Sequence, residues 1–372
     1  MRILVTGGAG FIGSHLVSAL AESGHQVRVL DALVEQVHGK NGVQELRLPE
    51  GVEFMRGDVR DIETWRKSLR GCEAVYHLAA EVGVGQSMYE IVDYMSANTM
   101  GTSNLLQLLT SDRGQVQKVV VASSMSIYGE GAYECTNCGP VVPEIRSSRQ
   151  LQQRQWELSC PTCGQALMPI PTSEEKPLQP TSVYAISKRD QEELCLSVGR
   201  AYDIPSVALR FFNVFGPGQS MSNPYTGVVA IFGSRLLNNK APLIFEDGLQ
   251  SRDFVHVSDI VQALLLALEC ETANYQAFNI GSGQPRTVNE VAQALAKALE
   301  VDVTPQVVGQ YREGDIRHCF ADISKAQELL GYAPQANFDE KLKELTAWIK
   351  KQTAVDRLDD AFAELGKRGL TK

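Results

Sequence analysis

The chain has 372 residues, 44% of them hydrophobic and 21% charged, with 35 Lys plus Arg against 44 Asp plus Glu for a formal net charge of −9. Such a length suits roughly two domains with a full core and excludes a small disulfide scaffold or extended disorder. The acidic balance argues against a broad basic face for nucleic acid. The longest nearly apolar run, Ile260 to Leu268, falls far short of the roughly 20 residues that span a bilayer, so no membrane segment is expected. A glycine loop begins within seven residues of Met1 and leaves no room for a signal peptide, which points to a cytoplasmic protein. In that compartment the 8 cysteines are thiols or metal ligands rather than disulfides.

Residues 2 to 31 read as strand, glycine turn, helix and strand, which is half of a mononucleotide-binding fold. Gly8, Gly10 and Gly13 satisfy G-x-G-x-x-G: a tight turn, backbone approach to a diphosphate, and close contact of helix with sheet, with the helix N-terminus facing the anion. Asp31, ending the second strand, is placed to accept ribose hydroxyls and to repel a 2′-phosphate. Ala32 and Leu33 offer no cation against that repulsion, so NAD is favoured over NADP. Two further βα units bring Asp58 and Val59, then Leu78, Ala79 and Ala80, to the same crevice. Asp58 suits the adenine amino group or, alternatively, a helix cap. His77, inside an apolar strand, reads as packed.

Lys118 to Ala122 is a buried-type strand leading into Ser123-Ser124-Met125-Ser126. Between Tyr128 and Tyr184 lie 55 residues containing Cys135-Thr136-Asn137-Cys138-Gly139 and Cys160-Pro161-Thr162-Cys163-Gly164. Two C-x2-C knuckles separated by 21 residues supply four soft ligands for a tetrahedral zinc, and four thiolates leave no open position, so the metal is expected to be structural. The stretch Arg146 to Arg154 is polar, without a core of its own, and is expected to depend on the metal for order. Tyr184 and Lys188 then sit four apart at the start of a helix. They share one face, so the ammonium can lower the phenol pKa and let Tyr184 act as a base, with Ser124 on the same substrate hydroxyl.

Taken together, Thr6 to Gly13, Asp58, Leu78-Ala79-Ala80, Ser124 and the Tyr184/Lys188 pair resemble the extended short-chain dehydrogenase/reductase family of nucleotide-sugar epimerases and dehydratases. Leu209 to Pro217, Arg252 to Val257, Asn279-Ile280-Gly281 and Arg312 to Asp315 resemble that family's substrate-half motifs. The resemblance, over about residues 1 to 350, implies NAD contacts from Gly7, Gly10, Phe11, Ile12, Gly13, Asp31, Asp58, Val59, Leu78, Ala79, Ala80, Asn98, Tyr184, Lys188 and Phe211. For a dTDP- or UDP-sugar it implies Val82, Ser124, Ser126, Tyr184, Asn213, Val228, Leu243, Phe245, Arg252, Arg312 and Asp315. Arginine forks suit diphosphate oxygens, although Arg252 and Arg312 also suit ordinary salt bridges. Leu243 and Phe245 suit either a nucleobase or a core strand.

The same resemblance implies a homodimer through the helix bearing Tyr184 and its neighbour, and a reaction that begins by oxidising a sugar hydroxyl. Dehydratases of this family carry Asp-Glu after the catalytic Ser or Thr; Met125-Ser126 stands here, leaving 4-epimerisation as the expected outcome. The segments Val34 to Gly39 and Glu81 to Tyr89 are similar to members that epimerise dTDP-L-rhamnose to dTDP-6-deoxy-L-talose. The alternatives are a UDP-hexose or UDP-hexuronate 4-epimerase, a 4,6-dehydratase, and a non-catalytic NAD-sensing regulator whose ribbon grips a partner. The expected architecture is α/β, a Rossmann-like doubly wound parallel sheet with a smaller C-terminal substrate domain and an inserted zinc ribbon. Residues 1–210 form the nucleotide domain interrupted at 131–176, residues 211–350 the substrate domain, and residues 351–372 a helical tail that docks on the body or on a second subunit. Val288, Val291, Ala292, Leu295 and Leu299 predict one packed helix before that tail.

Overall fold

The computed structural model describes residues 1–39, 46, 48–352 and 354–372. Seven parallel strands make the central sheet, in the order Gln276–Ile280, Ser206–Phe211, Lys118–Ser124, Ala74–His77, Arg2–Thr6, Gln26–Asp31 and Glu53–Arg56. Helices cover both faces, so inner strands such as Lys118–Ser124 are buried at every residue and carry continuous apolar runs rather than an alternating pattern. Helix Phe11–Glu22 buries Gly13, Leu16, Val17 and Leu20, a stripe of helical period laid on the sheet. The strand order reverses direction between Arg2–Thr6 and Ala74–His77, which leaves a crevice outside the carboxyl ends of those two strands.

The seventh strand, Gln276–Ile280, lies beyond the expected domain boundary at residue 210 and pairs residue for residue with Ser206–Phe211. The chain therefore leaves the nucleotide domain, returns to complete its sheet, and leaves again. The smaller half holds strands Asn213–Phe215, Ser251–His256, Pro285–Thr287 and His318–Cys319. Around them pack helices Val228–Leu237, Val288–Leu299 and Phe338–Ile349, with Phe215, Phe232, Phe254, Leu295 and Leu345 in the shared core. Helix Val288–Leu299 buries the predicted stripe and starts at a capping box of Thr287 with Glu290.

Within the insertion, Ala132–Cys135 pairs antiparallel with both Gly139–Val141 and Met168–Ile170. Tyr133, Cys135, Leu158, Cys160 and Leu167 form a small cluster of their own. The stretch from Arg146 to Arg154, expected to lack buried anchors, has two: Leu151 at 2% and Arg146 at 4% exposure. Arg146 reaches the smaller half through Glu246 and the Asp315 carbonyl, so this stretch is held by buried contacts as well as by whatever the cysteines bind. No helix among the described residues is long and apolar enough to cross a membrane.

Candidate active site

A cavity of about 630 Å³ runs along the carboxyl ends of the strands and onward under the smaller half. At its first end the glycine turn is backed tightly by its own helix. Gly7 has φ +67, and a Cβ at Gly13 would stand 2.1 Å from the Gly7 carbonyl oxygen, so neither position admits a side chain. Asp31 accepts from the Ala9 amide at 3.0 Å and the Leu33 amide at 2.9 Å, tying the end of the second strand to the glycine turn. His38 Nε2 lies 3.5 Å from the same carboxylate. This imidazole is a neighbour that Ala32 and Leu33 did not foretell.

Asp58 also lines the cavity, gripped by Arg60 through Nε at 2.9 Å and Nη2 at 2.6 Å. Burial pushes its pKa up, yet the Arg60 hydrogen bonds outweigh that and hold it below the usual carboxylate value. The cap of the following helix is Asp61, not Asp58. Asn98 is the one expected cofactor contact that does not line the cavity. Its amide bridges the Glu81 backbone, with bonds of 2.8 and 3.1 Å, to Ser187 Oγ at 2.9 Å, so its side chain is consumed in fixing the loop to the Tyr184 helix.

In the middle of the cavity Ser124, at a strand end, caps the turn Met125–Tyr128 and accepts from Ser126 Oγ at 2.9 Å. Helix Val183–Ala201, capped by Ser182, presents Tyr184 and, one turn later, Lys188. Lys188 Nζ donates to the Ala122 carbonyl at 2.8 Å and Gln191 Oε1 at 2.9 Å. Burial drives the Lys188 pKa down to about 7. Burial also raises the Tyr184 phenol, and a hydrogen bond with Ser124 works against the rise. Burial thus acts against the charged form of both groups, the opposite direction to the lowering of the phenol expected from the Lys188 spacing. His77 is buried among Thr6, Thr102 and Gln191 and is pushed down to about 3 by that burial, as a packed rather than titrating residue.

The far end gathers the arginines. Arg252 donates to the Ser251, Arg317 and Ile316 carbonyls and lies 3.5 Å from Asp315, which Arg312 holds at 2.9 Å. Burial would raise the Asp315 pKa, but Arg312, Arg252 and Arg146 hold it below the usual carboxylate value. Asn213, Gln219 and Gln250 line this half of the cavity, and their side-chain oxygens are buried without a protein partner. Leu243 resolves both ways: it belongs to a short strand paired with Gln306–Val307 and also faces the cavity.

Arg146 was not foreseen. From the insertion it makes a two-pronged pair with Glu246, at 2.9 and 2.8 Å, and donates to the Asp315 carbonyl at 3.0 Å. Glu157, also from the insertion, holds Arg317 and His318. Only the position of these charges between the paired cysteines hinted that they would be presented in fixed places. The four cysteines converge, with their sulfurs all within 4.8 Å of one another.

The sequence matches the NAD dependent epimerase/dehydratase family over residues 3–146 and 157–281. That span is well over half of the chain. The chain belongs to the NAD dependent epimerase/dehydratase family. A dTDP-L-rhamnose 4-epimerase of Burkholderia thailandensis is 36% identical over 353 residues, covering 94% of this chain and 95% of that relative. Among solved structures, the UDP-glucuronic acid 4-epimerase of Bacillus cereus, in complex with UDP-glucuronic acid and NAD, is 29% identical with a TM-score of 0.77, over 94% of this chain and 99% of that one. The UDP-glucose 4-epimerase of Thermotoga maritima with UDP-glucose is 32% identical with a TM-score of 0.76, over 94% and 99%. For this member of the family the glycine cradle, Asp31 at the end of the second strand and the paired Ala79 and Ala80 fit a dinucleotide at the first end of the cavity.

Proposed function

We propose that this chain is an NAD-dependent nucleotide-sugar 4-epimerase that interconverts dTDP-L-rhamnose and dTDP-6-deoxy-L-talose. The observation that carries the reading is the meeting of Ser124, Tyr184 and Lys188 on one wall of the cavity, followed by Met125-Ser126 rather than a carboxylate pair. Bound NAD supplies a hydride acceptor and donor. Tyr184 takes the proton of the C4 hydroxyl and later returns it, Ser124 holds the same oxygen, and Lys188, fixed on the Ala122 carbonyl, brings a positive charge one helical turn away. A 6-deoxy sugar has no C6 hydroxyl to lose, so the 4-ketone has one outlet, reduction on its other face.

The sugar end favours a neutral deoxy sugar. Val82, Val84, Met88 and Tyr225 line it together with Glu81, whose pKa is raised by burial. Among the described lining residues, Arg60 is spent on Asp58 and Arg252 and Arg312 stand at the Asp315 end, which leaves no arginine for a uronate carboxylate. A UDP-hexose is the second reading, favoured by the likeness to the Thermotoga maritima structure with UDP-glucose. Incubation with dTDP-L-rhamnose, UDP-glucose and UDP-glucuronate, followed by chromatography of the products, tests the proposal. A C4 epimer from dTDP-L-rhamnose alone is expected; turnover of UDP-glucuronate in preference to it would overturn the substrate assignment, and no turnover of any would favour the sensor.

The same reading gives the insertion a structural zinc on Cys135, Cys138, Cys160 and Cys163. Tetrahedral ligation at about 2.3 Å puts sulfurs about 3.8 Å apart, and Cys135 Sγ and Cys163 Sγ stand 3.5 Å apart. A homodimer is supported by exposed Ile91, Val92, Met100 and Ile186 on the segments 91–111 and 183–201, which pack side by side.

A further inference from the structure

The C-terminal helix Leu358–Lys367 turns Leu358, Ala361, Phe362 and Leu365 to the cavity, a stripe of helical spacing. Its fastenings belong to the smaller half. Before the helix, Asp356 and Asp359 hold the buried Arg235 at 3.3 and 2.8 Å. Beyond it, the Tyr311 amide donates to the Lys372 carbonyl at 2.9 Å, the Lys372 amide donates back to the Tyr311 carbonyl at 3.1 Å, and the Glu313 amide donates to the Leu370 carbonyl at 3.0 Å. Phe362 packs on Phe245, with ring centroids 4.9 Å apart and planes at 19°. The end of the helix meets the nucleotide half instead. A Cβ at Gly85 would stand 3.4 Å from the Leu365 side chain, and the Arg368 guanidinium lies 4.1 Å from the centre of the Tyr89 ring. Segment 83–89 is tied in turn to the reacting middle: Gln86 Oε1 accepts from the Tyr94 hydroxyl at 3.2 Å, and the Tyr94 ring stands edge-on to Tyr184, with centroids 6.4 Å apart.

We propose that the tail is one jaw of a gate over the nucleotide-sugar cavity, closing from the smaller half onto segment 83–89 at the seam of Leu365 and Arg368, and that the closed gate retains the 4-keto sugar. The two sides of the jaw are unequal. A buried ion pair and three backbone bonds hold it to the smaller half, whereas the seam is one apolar contact and one cation–π contact from an arginine side chain that is 45% exposed, so the seam parts first. The proposal rests on the epimerase reading and adds to it what keeps the intermediate in place. Oxidation at C4 passes a hydride to bound NAD and the hydroxyl proton to Tyr184, and the resulting ketone, joined to the protein by no covalent bond, must turn before the hydride returns. A ketone lost at that point carries the oxidation away and leaves NADH in the site, unable to begin another turnover.

Stopped-flow binding of dTDP and of UDP tests the gate without turnover. It compares the full-length protein with Arg368→Ala, with Gly85→Ala, and with a chain ending at Arg357, which keeps Asp356 on Arg235. Association and dissociation should both quicken, about fivefold in Arg368→Ala and further in the shortened chain. Gly85→Ala puts a methyl into the seam against Leu365 and should slow both rates. A tail that only touches the ligand would alter dissociation alone; that result, or unaltered rates in Arg368→Ala, would overturn the proposal. With dTDP-L-rhamnose, the shortened chain should release a ketone, trapped by borodeuteride as a dTDP-sugar deuterated at C4, and accumulate as much NADH, about tenfold above the wild type. Should the shortened chain not fold, Arg368→Ala carries the same trapping test, and turnover without excess ketone or NADH would overturn retention. A wild type that binds dTDP or UDP with the expected gating but converts no sugar nucleotide would end the epimerase reading, and with it the ketone, while leaving the gate itself standing.

Discussion

The two ends of the cavity are built in opposite ways. At the dinucleotide end one strand, one turn and one helix, all within residues 2–22, make the cradle, and Asp31 closes it from the adjoining strand. At the far end the wall is assembled from four stretches far apart in the chain, Asn213, Phe245 to Arg252, Arg312 to Asp315 and Phe362 from the tail, braced from behind by Arg146 of the insertion. A contiguous site stands or falls with one motif. An assembled one depends on the fastenings between its parts, and two of these, the Arg146–Glu246 pair and the tail bridge to Tyr311, belong to segments outside the ordinary frame of the fold.

The middle of the cavity, shared by both ends, should give the largest effect. Phe in place of Tyr184 removes the proton acceptor and is expected to lower kcat about 10³-fold with NAD content unchanged, measured by turnover and by mass spectrometry of released cofactor. Next comes the brace. Arg146→Ala takes two charge-assisted hydrogen bonds from Glu246, which is 4% exposed and keeps Arg317 at 3.0 Å, and should cost about 2 kcal/mol in urea unfolding. It should also raise the KM for the sugar nucleotide while leaving NAD binding at the other end intact; a variant that lost NAD equally would dissolve the contrast between the ends.

Acid stability reports on the sheet beneath both. His77 is held near 3 by burial against about 6.5 unfolded, so between those values the unfolded chain binds the extra proton and stability falls as the pH falls. From pH 6.5 to 5 the loss is about 2 kcal/mol, and His256, lowered to about 4 by burial, acts in the same direction. Urea midpoints across that range check the slope, which should be unaffected by nucleotide-sugar concentration once corrected for binding. The smallest effect concerns the insertion. Stripping the metal with a chelator, or Cys160→Ser, should raise the KM about threefold to tenfold with little change in NAD content, because Leu151 and Arg146 still anchor the loop. Elemental analysis should find about one zinc per chain.

The contrast also explains what was legible from sequence. The glycine turn, the strand ends and the Tyr184/Lys188 pair depend on neighbours within a turn or two, and residue spacing describes them. Asn98 shows the limit of carrying over a position: the residue stands where the resemblance puts it, but the Glu81 backbone and Ser187 occupy its amide. The upward direction of the Tyr184 shift could not be read from spacing either, since it follows from burial in the pocket. Arg146, Glu246, Glu157 and Phe362 left no motif at all. Each acts across a hundred residues or more, Arg146 on Glu246 and Phe362 on Phe245 among them, and only the closed fold brings such pairs together.

The most direct measurement is the fate of the C4 hydrogen. dTDP-L-rhamnose carrying deuterium at C4, converted in ordinary water and read by nuclear magnetic resonance, should yield a dTDP-6-deoxy-L-talose that keeps its deuterium at C4, since hydride leaves and returns within one closed site. Loss of the label to solvent would contradict the account.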